Sequence, residues 1–105
     1  MKNKQLFTSN KQDWETPQKL FDELNKEFSF DLDAAANDTN KKCLKYFSEA
    51  EDSLKQDWSI FKSIFINPPY ENKKQNEFIK KAYETNKKYG NTIVLLVPAR
   101  TDTRR

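Results

Sequence analysis

The chain has 105 residues, the size of one domain, and 35% hydrophobic against 33% charged residues is a polar composition for a globular protein. Eight Phe, four Tyr and two Trp are too many aromatic residues for a disordered tail. One cysteine and no histidine exclude a disulfide framework and Ser-His-Asp or Cys-His catalysis, and they argue against a metal site. The sequence has no apolar signal region and no apolar run near the roughly 20 residues that a membrane helix needs. We therefore expect a cytoplasmic protein with no membrane contact.

Charge is distributed unevenly along the chain. Residues 1–58 carry 9 basic and 12 acidic residues, whereas residues 59–105 carry 10 basic and 4 acidic residues. A basic C-terminal half is compatible with a phosphate-rich partner. On charge alone, a solvated lysine surface is the favoured interpretation.

The first predicted elements are a lead-in and a helix. Residues 1–12 are polar and are expected to be a mobile lead-in to a domain spanning residues 13–105. Thr16 is a suitable N-cap, and Pro17 suits the first helical position because its missing N–H is not needed there. Apolar residues then recur at helical spacing and predict a helix over 17–28.

A strand and a less regular stretch follow. Phe30, Leu32 and Ala34 alternate with Asp31 and Asp33, which is the period of a strand. Small residues and turn formers come next, and residues 39–56 are expected to be loop and short helix. The one cysteine, Cys43, lies in this stretch and is interpreted as a packing residue.

The C-terminal half predicts strand, helix and strand. Residues 64–66 are apolar and end at Asn67-Pro68-Pro69-Tyr70, since proline cannot donate to a sheet ladder. Residues 72–89 predict a helix that ends at Gly90, and residues 93–97 a strand buried on both faces. The expected apolar helix face contains Phe78, Ile79, Ala82 and Tyr83, and lysine pairs at 73/74, 80/81 and 87/88 form one stripe that is either phosphate-facing or simply solvated.

This order of elements predicts an α/β fold with parallel strands joined through helices. Ligands in such folds bind beyond the carboxyl ends of the strands. The sequence places Asp33-Ala34-Ala35 and Asn67-Pro68-Pro69-Tyr70 at two such ends. These two segments are therefore the candidate sites.

The Asn67-Pro68-Pro69-Tyr70 segment has a chemistry of its own. Two prolines make a rigid elbow after a buried strand. The Asn67 amide oxygen and the Pro68 carbonyl are two acceptors that can converge on one N–H₂ group, and Tyr70 adds a flat aromatic face. This set suits a planar base with an exocyclic amine, although a proline-rich strand end with Asn as a turn former explains the four residues equally well.

Together with other segments, this tetrapeptide resembles the phage-type DNA adenine-N6 methyltransferase family. The matching segments are Trp-Glu-Thr-Pro at 14–17, Asp-Leu-Asp-Ala-Ala-Ala at 31–36, Asp-Trp at 57–58, Asn-Pro-Pro-Tyr at 67–70 and Pro-Ala-Arg-Thr-Asp-Thr-Arg at 98–104. Five ordered motifs across residues 9–104 are far more specific than the tetrapeptide alone. The resemblance implies a Rossmann-like class I methyltransferase sheet.

The resemblance implies S-adenosylmethionine as the cofactor. The implied cofactor-binding residues are Trp14, Thr16, Pro17, Asp33, Ala34, Ala35, Asp57 and Trp58. Thr16 and Pro17 would contact the methionine carboxylate at a helix N-terminus. Asp33 and the small alanines would line the methionine end of the cofactor, while Asp57 would accept from its adenine amine and Trp58 pack on that ring. Considered alone, Asp33 and Asp57 are more typical of capping or turn carboxylates.

The implied catalytic residues are Asn67, Pro68, Pro69 and Tyr70. Asn67 and Pro68 would accept from the amine of a target adenine flipped out of double-stranded DNA, and Tyr70 would stack on it. Two accepted hydrogen bonds would draw the amine lone pair out of ring conjugation and ready it for the methyl group.

The chain also departs from the family pattern. Gly90 is its only glycine, so the alanine triplet stands where a Gly-rich loop is usual, and the ribose-binding acid is left open among Glu49, Glu51 and Asp52. Family members continue beyond the segment at 98–104, so we expect a C-terminally incomplete sheet. Strand 93–97 would then be either an exposed edge prone to self-association or an edge covered by a second copy of the chain.

Three functions remain open at this stage. The leading hypothesis is a site-specific DNA adenine-N6 methyltransferase. The second is a truncated remnant that binds cofactor or nucleic acid without turnover. The third is an α/β interaction protein whose motifs are accidental.

Overall fold

The computed structural model describes residues 5–9, 16–69 and 71–97, which form an α/β fold around a four-stranded parallel sheet. The strand order is β1-β4-β3-β2. The elements in chain order are β1 (Gln5–Ser9), α1 (Gln18–Phe28), β2 (Leu32–Asp33), β3 (Ser63–Ile66), α2 (Asn72–Tyr89) and β4 (Thr92–Val97), with a 3₁₀ turn at Ser53–Lys55. The predicted α/β class with parallel strands is confirmed.

Each face of the sheet packs against one helix. On the α1 side, Phe21 packs with Phe65 and Leu96. On the α2 side, a larger core contains Leu32, Ala34, Phe47, Trp58, Ile64, Ile66, Phe78, Ala82, Ile93 and Leu95. Neighbouring residues of one strand thus enter opposite cores, which explains why β3 and β4 are apolar almost throughout.

The N-terminal segment is a correction to the expected mobile lead-in over residues 1–12. Gln5–Ser9 forms β1, which pairs in parallel with β4 from Gln5 opposite Ile93 to Ser9 opposite Val97. The physical reason is that β4 presents backbone donors and acceptors at both edges, and β3 satisfies only one of them. Because β1 covers the other edge, the expectation that β4 is an exposed edge is wrong, and so is the reason given for self-association.

Both helices lie where the sequence predicts them, but α1 begins differently. Pro17, not Thr16, is the N-cap residue of α1, and its carbonyl accepts from the Phe21 N–H at 3.1 Å. The Thr16 hydroxyl is therefore not a cap and has another partner. Gly90 ends α2 in the left-handed region, with φ at 78°, as expected for glycine after a helix.

The buried face of α2 differs from the prediction at its edges. Phe78 and Ala82 are buried, whereas Tyr83 is 53% exposed and Gln75 and Thr85 are buried in its place. In the lysine stripe, Lys81 is not simply solvated, because its Nζ donates to backbone carbonyls next to the 3₁₀ turn. Through Lys81, α2 is thus hydrogen-bonded to the loop that precedes β3.

The segment between β2 and β3 is loop and short helix, as predicted. Backbone hydrogen bonds from Asp33 N–H to the Lys45 carbonyl and from Phe47 N–H to the Asp33 carbonyl fasten it beside β2, each at 3.1 Å. At the other end of the segment, where β3 begins, the Lys62 and Ser63 N–H groups donate to the carboxylate of Asp31, the residue before β2. Among the described residues, no helix has the length and apolar character needed to cross a membrane.

Candidate functional site

Two strand ends meet at one edge of the sheet and open into a cleft of about 380 Å³. β2 ends at Asp33 and β3 at Ile66, and these strands are hydrogen-bonded neighbours. The cleft is lined by Ala34, Ala35, Ala36, Asn37, Asn40, Phe47, Ser48, Glu49, Asp52, Ser53, Leu54, Asn67, Pro68, Pro69, Lys74 and Phe78. The two segments predicted as sites, 33–35 and 67–70, therefore converge because parallel strands end on the same side.

A small recess adjoins this cleft. It is lined by Thr16, Asp33, Ala35, Asn40, Lys42, Phe65 and Asn67. Ala35, Asn40 and Asn67 belong to the walls of both. The recess thus brings together four predicted cofactor or catalytic positions, Thr16, Asp33, Ala35 and Asn67.

Asn67 is held by a contact across the fold. Its Nδ2 donates to the Thr16 hydroxyl at 3.0 Å in a partly buried setting. The two residues are 51 positions apart, at the end of β3 and just before α1. The oxygen edge of the amide consequently faces away from Thr16.

The two prolines after Asn67 have different surroundings. Pro68 is fully buried and Pro69 is exposed, and both contribute to the cleft wall. Pro17 is exposed at the start of α1 and lines neither cavity. Trp14, Tyr70 and the predicted segment at 98–104 lie outside the described residues, so their predicted roles stay predictions.

Asp33 is a buried carboxylate at the end of β2. It is 2% exposed, and burial raises its pKa from 3.8 to about 6. The Lys42 N–H donates to Oδ2 at 3.0 Å and the Ala35 N–H to Oδ1 at 3.4 Å, and both hydrogen bonds oppose that rise. The resulting site favours a cationic group, because a nearby positive charge lowers the cost of keeping the carboxylate ionised.

The alanines after Asp33 bring backbone close to the cleft. The Ala34 N–H donates to the Phe65 carbonyl at 2.9 Å, and the Ala36 N–H to the Phe47 carbonyl at 3.1 Å. These bonds fasten the loop between β3 and the Phe47 segment. With only methyl groups as side chains, the loop leaves room for a ligand against its backbone.

Asp57 and Trp58 do not line the cleft or the recess, and their expected cofactor contacts stay predictions. Asp57 is exposed, and its carboxylate accepts from both the N–H and the hydroxyl of Ser59, which lowers its pKa. Trp58 is 1% exposed, stacks on Phe78 at 6.1 Å and donates from Nε1 to the Ser53 carbonyl. The hydrogen bonds to Ser59 keep the Asp57 side chain at the surface. Trp58 packs in the core behind Phe78, so neither residue lines the cleft.

Two other acidic residues and a serine from the same loop do line the cleft. Of the three acids left open for the ribose, Glu49 and Asp52 line the cleft. Glu51 does not, because its carboxylate accepts from the Ser48 N–H and hydroxyl. Ser53 also lines the cleft, and its buried Oγ has no hydrogen-bond partner among the described residues.

Several lining residues were missed by sequence reasoning. Phe47, Leu54 and Phe78 supply apolar walls, and Asn37 and Asn40 supply polar ones. The sequence predicts Phe78 only as a core residue. Helical spacing shows which residues of α2 are buried, but not which of them lie beside a cavity. Asn37 and Asn40 follow the alanine triplet directly, and that proximity was the one available signal.

Cys43 is a packing residue, as predicted. It is half-buried against the Phe21 cluster, and burial together with the charges of Asp33 and Asp31 raises the pKa of its thiol to about 12. A thiol held so strongly in its protonated form is a poor nucleophile.

Comparison with known proteins shows the family of this chain. The family described as DNA N-6-adenine-methyltransferase (Dam) matches residues 3–104. The chain belongs to this family.

Two relatives illustrate the likeness. The DNA N-6-adenine-methyltransferase of Escherichia phage T1 is 37% identical over 91 residues, which are 86% of this chain and 37% of that protein. The Escherichia coli (strain K12) protein named "Putative methyltransferase YfdM" is 35% identical over 63 residues, covering 54% of this chain and 69% of its own length. This chain therefore spans little more than a third of the phage T1 relative. No solved structure matches it significantly.

Proposed function

We propose that this chain is a DNA adenine-N6 methyltransferase that uses S-adenosylmethionine and acts on a base flipped out of double-stranded DNA. The carrying observation is the convergence of Asn67 and Pro68, at the end of β3, with Asp33 and Ala35, at the end of β2, around one cleft and its recess. Membership of the Dam family supports the reaction. The phage T1 relative's name supports adenine as the base.

The residues of the cleft fit this cofactor. A volume of about 380 Å³ lies in the range of roughly 300–1,000 Å³ that small-molecule sites occupy. Asp33 is a buried carboxylate facing the recess, and it suits the positively charged methionine end. When bound, S-adenosylmethionine supplies a sulfonium-activated methyl group as the electrophile.

We assign the remaining cofactor contacts from the same lining. Glu49 and Asp52 suit ribose hydroxyls as acceptors, and the Ser53 Oγ offers an unpartnered polar group beside them. Phe47 and Phe78 suit the faces of an adenine ring. Trp58 supports this site from behind by stacking on Phe78, which replaces the direct contact expected from the sequence.

The residues at the end of β3 hold the target base. The Asn67 Oδ1 and the Pro68 carbonyl accept from the two N–H groups of the exocyclic amine, which favours a tetrahedral nitrogen with an available lone pair. Tyr70 stacks on the base, as the family resemblance implies. The rigid elbow of Pro68 and Pro69 keeps these acceptors in position before the base arrives.

DNA would approach this edge of the sheet. Lys74 lies on the cleft wall, and the exposed Lys73 precedes it on α2. Both are suited to phosphate contacts beside a flipped nucleotide. The remaining helix lysines lie farther along α2, where the Nζ groups of Lys87 and Lys88 stand over tyrosine rings.

The sheet is compatible with a class I methyltransferase. Its four strands are parallel and carry helices on both faces, with the cleft at their carboxyl edge. We infer that the described sheet is the cofactor-binding half of that fold.

A second candidate is binding of cofactor or nucleic acid without turnover. The observation that favours it is the coverage, since the chain matches only 37% of the length of the phage T1 relative. Both candidates use the same cleft for the cofactor, so methyl transfer separates them.

The test is transfer of a labelled methyl group from S-adenosylmethionine to mixed-sequence duplex DNA, followed by digestion and identification of the modified base. Label in N6-methyladenine is the expected result. Cofactor binding by calorimetry without any transfer would establish the second candidate. Absence of transfer, of cofactor binding and of binding to the same duplex DNA would overturn both proposals.

A further inference from the structure

We infer that Thr16 is a positioning residue that orients the amide of Asn67 through its hydroxyl, and this inference deepens the proposed function on which it rests. The Nδ2 of Asn67 donates to the Thr16 Oγ at 3.0 Å. An amide can rotate by half a turn about its last bond and exchange its oxygen with its nitrogen. The hydroxyl acceptor selects the orientation that keeps the nitrogen at Thr16.

The orientation matters because only one edge of the amide can accept from an amine. If the amide were reversed, its N–H₂ group would face the N–H groups of the target base, and donor would oppose donor. A fixed acceptor at Thr16 avoids that arrangement before any ligand binds. Preorganised polar groups of this kind are effective because they need no rearrangement during the reaction.

The surroundings make the contact specific. Thr16 is 6% exposed and lies in the recess next to Asp33, where water competes poorly for the bond. Its hydroxyl is not used as a helix cap, because Pro17 is the N-cap residue of α1. The hydroxyl also keeps its own proton, which it can donate to a cofactor carboxylate while accepting from Asn67.

Thr16→Val and Thr16→Ser separate this role from a general structural one. Valine keeps the size and branching but removes the acceptor, whereas serine keeps the hydroxyl. Thr85→Val is the matched control, because Thr85 is also buried but lies on α2 and lines neither cavity. Circular dichroism and a thermal melt verify that each variant is folded.

The first readout is the side-chain amide signal of Asn67 in the ¹⁵N-labelled full chain without cofactor, assigned by its loss in Asn67→Ala. Thr16→Val should shift this signal and speed its exchange with solvent, while Thr16→Ser and Thr85→Val should leave it nearly unchanged. An Asn67 signal that is the same in Thr16→Val as in the parent chain would overturn the inference. Since no turnover is needed, this outcome is independent of the proposed function.

The second readout is methyl transfer at saturating cofactor. Loss of one hydrogen bond to the amide should lower kcat by about tenfold in Thr16→Val, with recovery in Thr16→Ser. A higher KM for cofactor with unchanged kcat would contradict the inference and leave Thr16 as a cofactor contact only. If the parent chain transfers no methyl group, the proposed function fails and the amide signal alone decides whether Thr16 orients Asn67.

Discussion

Asp33 and Asp57 are both aspartates that motif resemblance assigns to the cofactor, yet the fold treats them in opposite ways. Asp33 ends β2, the strand beside β3 in the sheet, is 2% exposed and has its pKa raised to about 6 by burial. Asp57 lies in a surface turn, where the Ser59 hydroxyl and N–H lower its pKa. Burial beside the recess makes the ionised Asp33 carboxylate costly, whereas the Asp57 carboxylate stabilises the turn that contains it.

The difference shows how a strand end and a loop differ as places for function. A residue at the carboxyl end of a parallel strand is carried to the common edge of the sheet by the strand itself. A residue in a loop has no such constraint, and local hydrogen bonds decide where its side chain goes. Asp57 therefore lies in a surface turn and Trp58 in the core, whereas Asp52 and Ser53 line the cleft.

The largest expected effect is on stability, at Trp58. Trp58→Ala should lower the free energy of unfolding by about 3–5 kcal/mol, because it empties a buried site behind Phe78. Urea denaturation measures the change, with Ile60→Ala at an exposed neighbouring position as the control. A loss below about 1 kcal/mol together with a large loss of cofactor affinity would place Trp58 at the ligand instead.

The next effect is on transfer, at Asn67. Asn67→Ala should lower kcat by roughly 10²- to 10³-fold, by analogy with removal of one preorganised polar group from a reacting centre. Affinity for S-adenosylmethionine should change little, as measured by calorimetry. Asn76→Ala, at an exposed position of α2, is the control and should keep full activity. Unchanged turnover in Asn67→Ala would refute the assignment of this amide to the base.

The third effect is the pH dependence of the free energy of unfolding, which differs between the two aspartates. The Asp33 pKa is about 6 in the folded state against 3.8 as the ordinary value, so the folded state binds more protons between these pH values. The free energy of unfolding therefore falls as pH rises from about 4 to 6, by about 3 kcal/mol in all. Asp33→Asn should remove this fall, so its stability relative to the parent chain should improve with rising pH.

Asp57→Asn is the matched variant with the opposite sign. Because the folded state lowers the pKa of Asp57, its carboxylate stabilises the fold at neutral pH and loses that contribution as pH falls through its folded-state pKa. Thermal melts of both variants between about pH 2 and 8 measure the two slopes, since the slope from Asp57 lies below its ordinary pKa of 3.8 and that from Asp33 above 3.8. Parallel slopes in the two variants would show that the environments do not differ as the structure indicates.

The smallest effect concerns the cofactor's adenosine end. Asp52→Asn should weaken S-adenosylmethionine binding about fivefold, as expected for one hydrogen bond of roughly 1 kcal/mol. Asparagine is chosen because Asp52 has φ at 56°, a left-handed conformation that asparagine tolerates. Asp57→Ala should leave the affinity unchanged. Calorimetry measures both, and weaker binding only in Asp57→Ala would restore the role that the sequence suggested for that residue.

The sequence by itself determined most of the local elements. Helical spacing predicted α1 and α2 nearly to the residue, and the unbroken apolar run predicted β4, because burial imposes a period on the residues that face a core. The proline pair after β3 and the small residues after β2 predicted the two strand ends around which the cleft forms. These features depend on neighbours within a few positions, which a sequence displays directly.

Only the tertiary structure decided the features that join distant parts of the chain. Gln5–Ser9 is too short and too polar to stand out as a strand, and it forms one by pairing with β4. The Thr16–Asn67 bond and the raised pKa of Asp33 arise from burial beside segments far away in sequence. The packing of the loop between β2 and β3 places Asp52 beside the cleft, whereas Asp57 stays in a turn with Ser59. Pairing, burial and packing are properties of the folded arrangement, so they appear only when the strands and helices have been brought together.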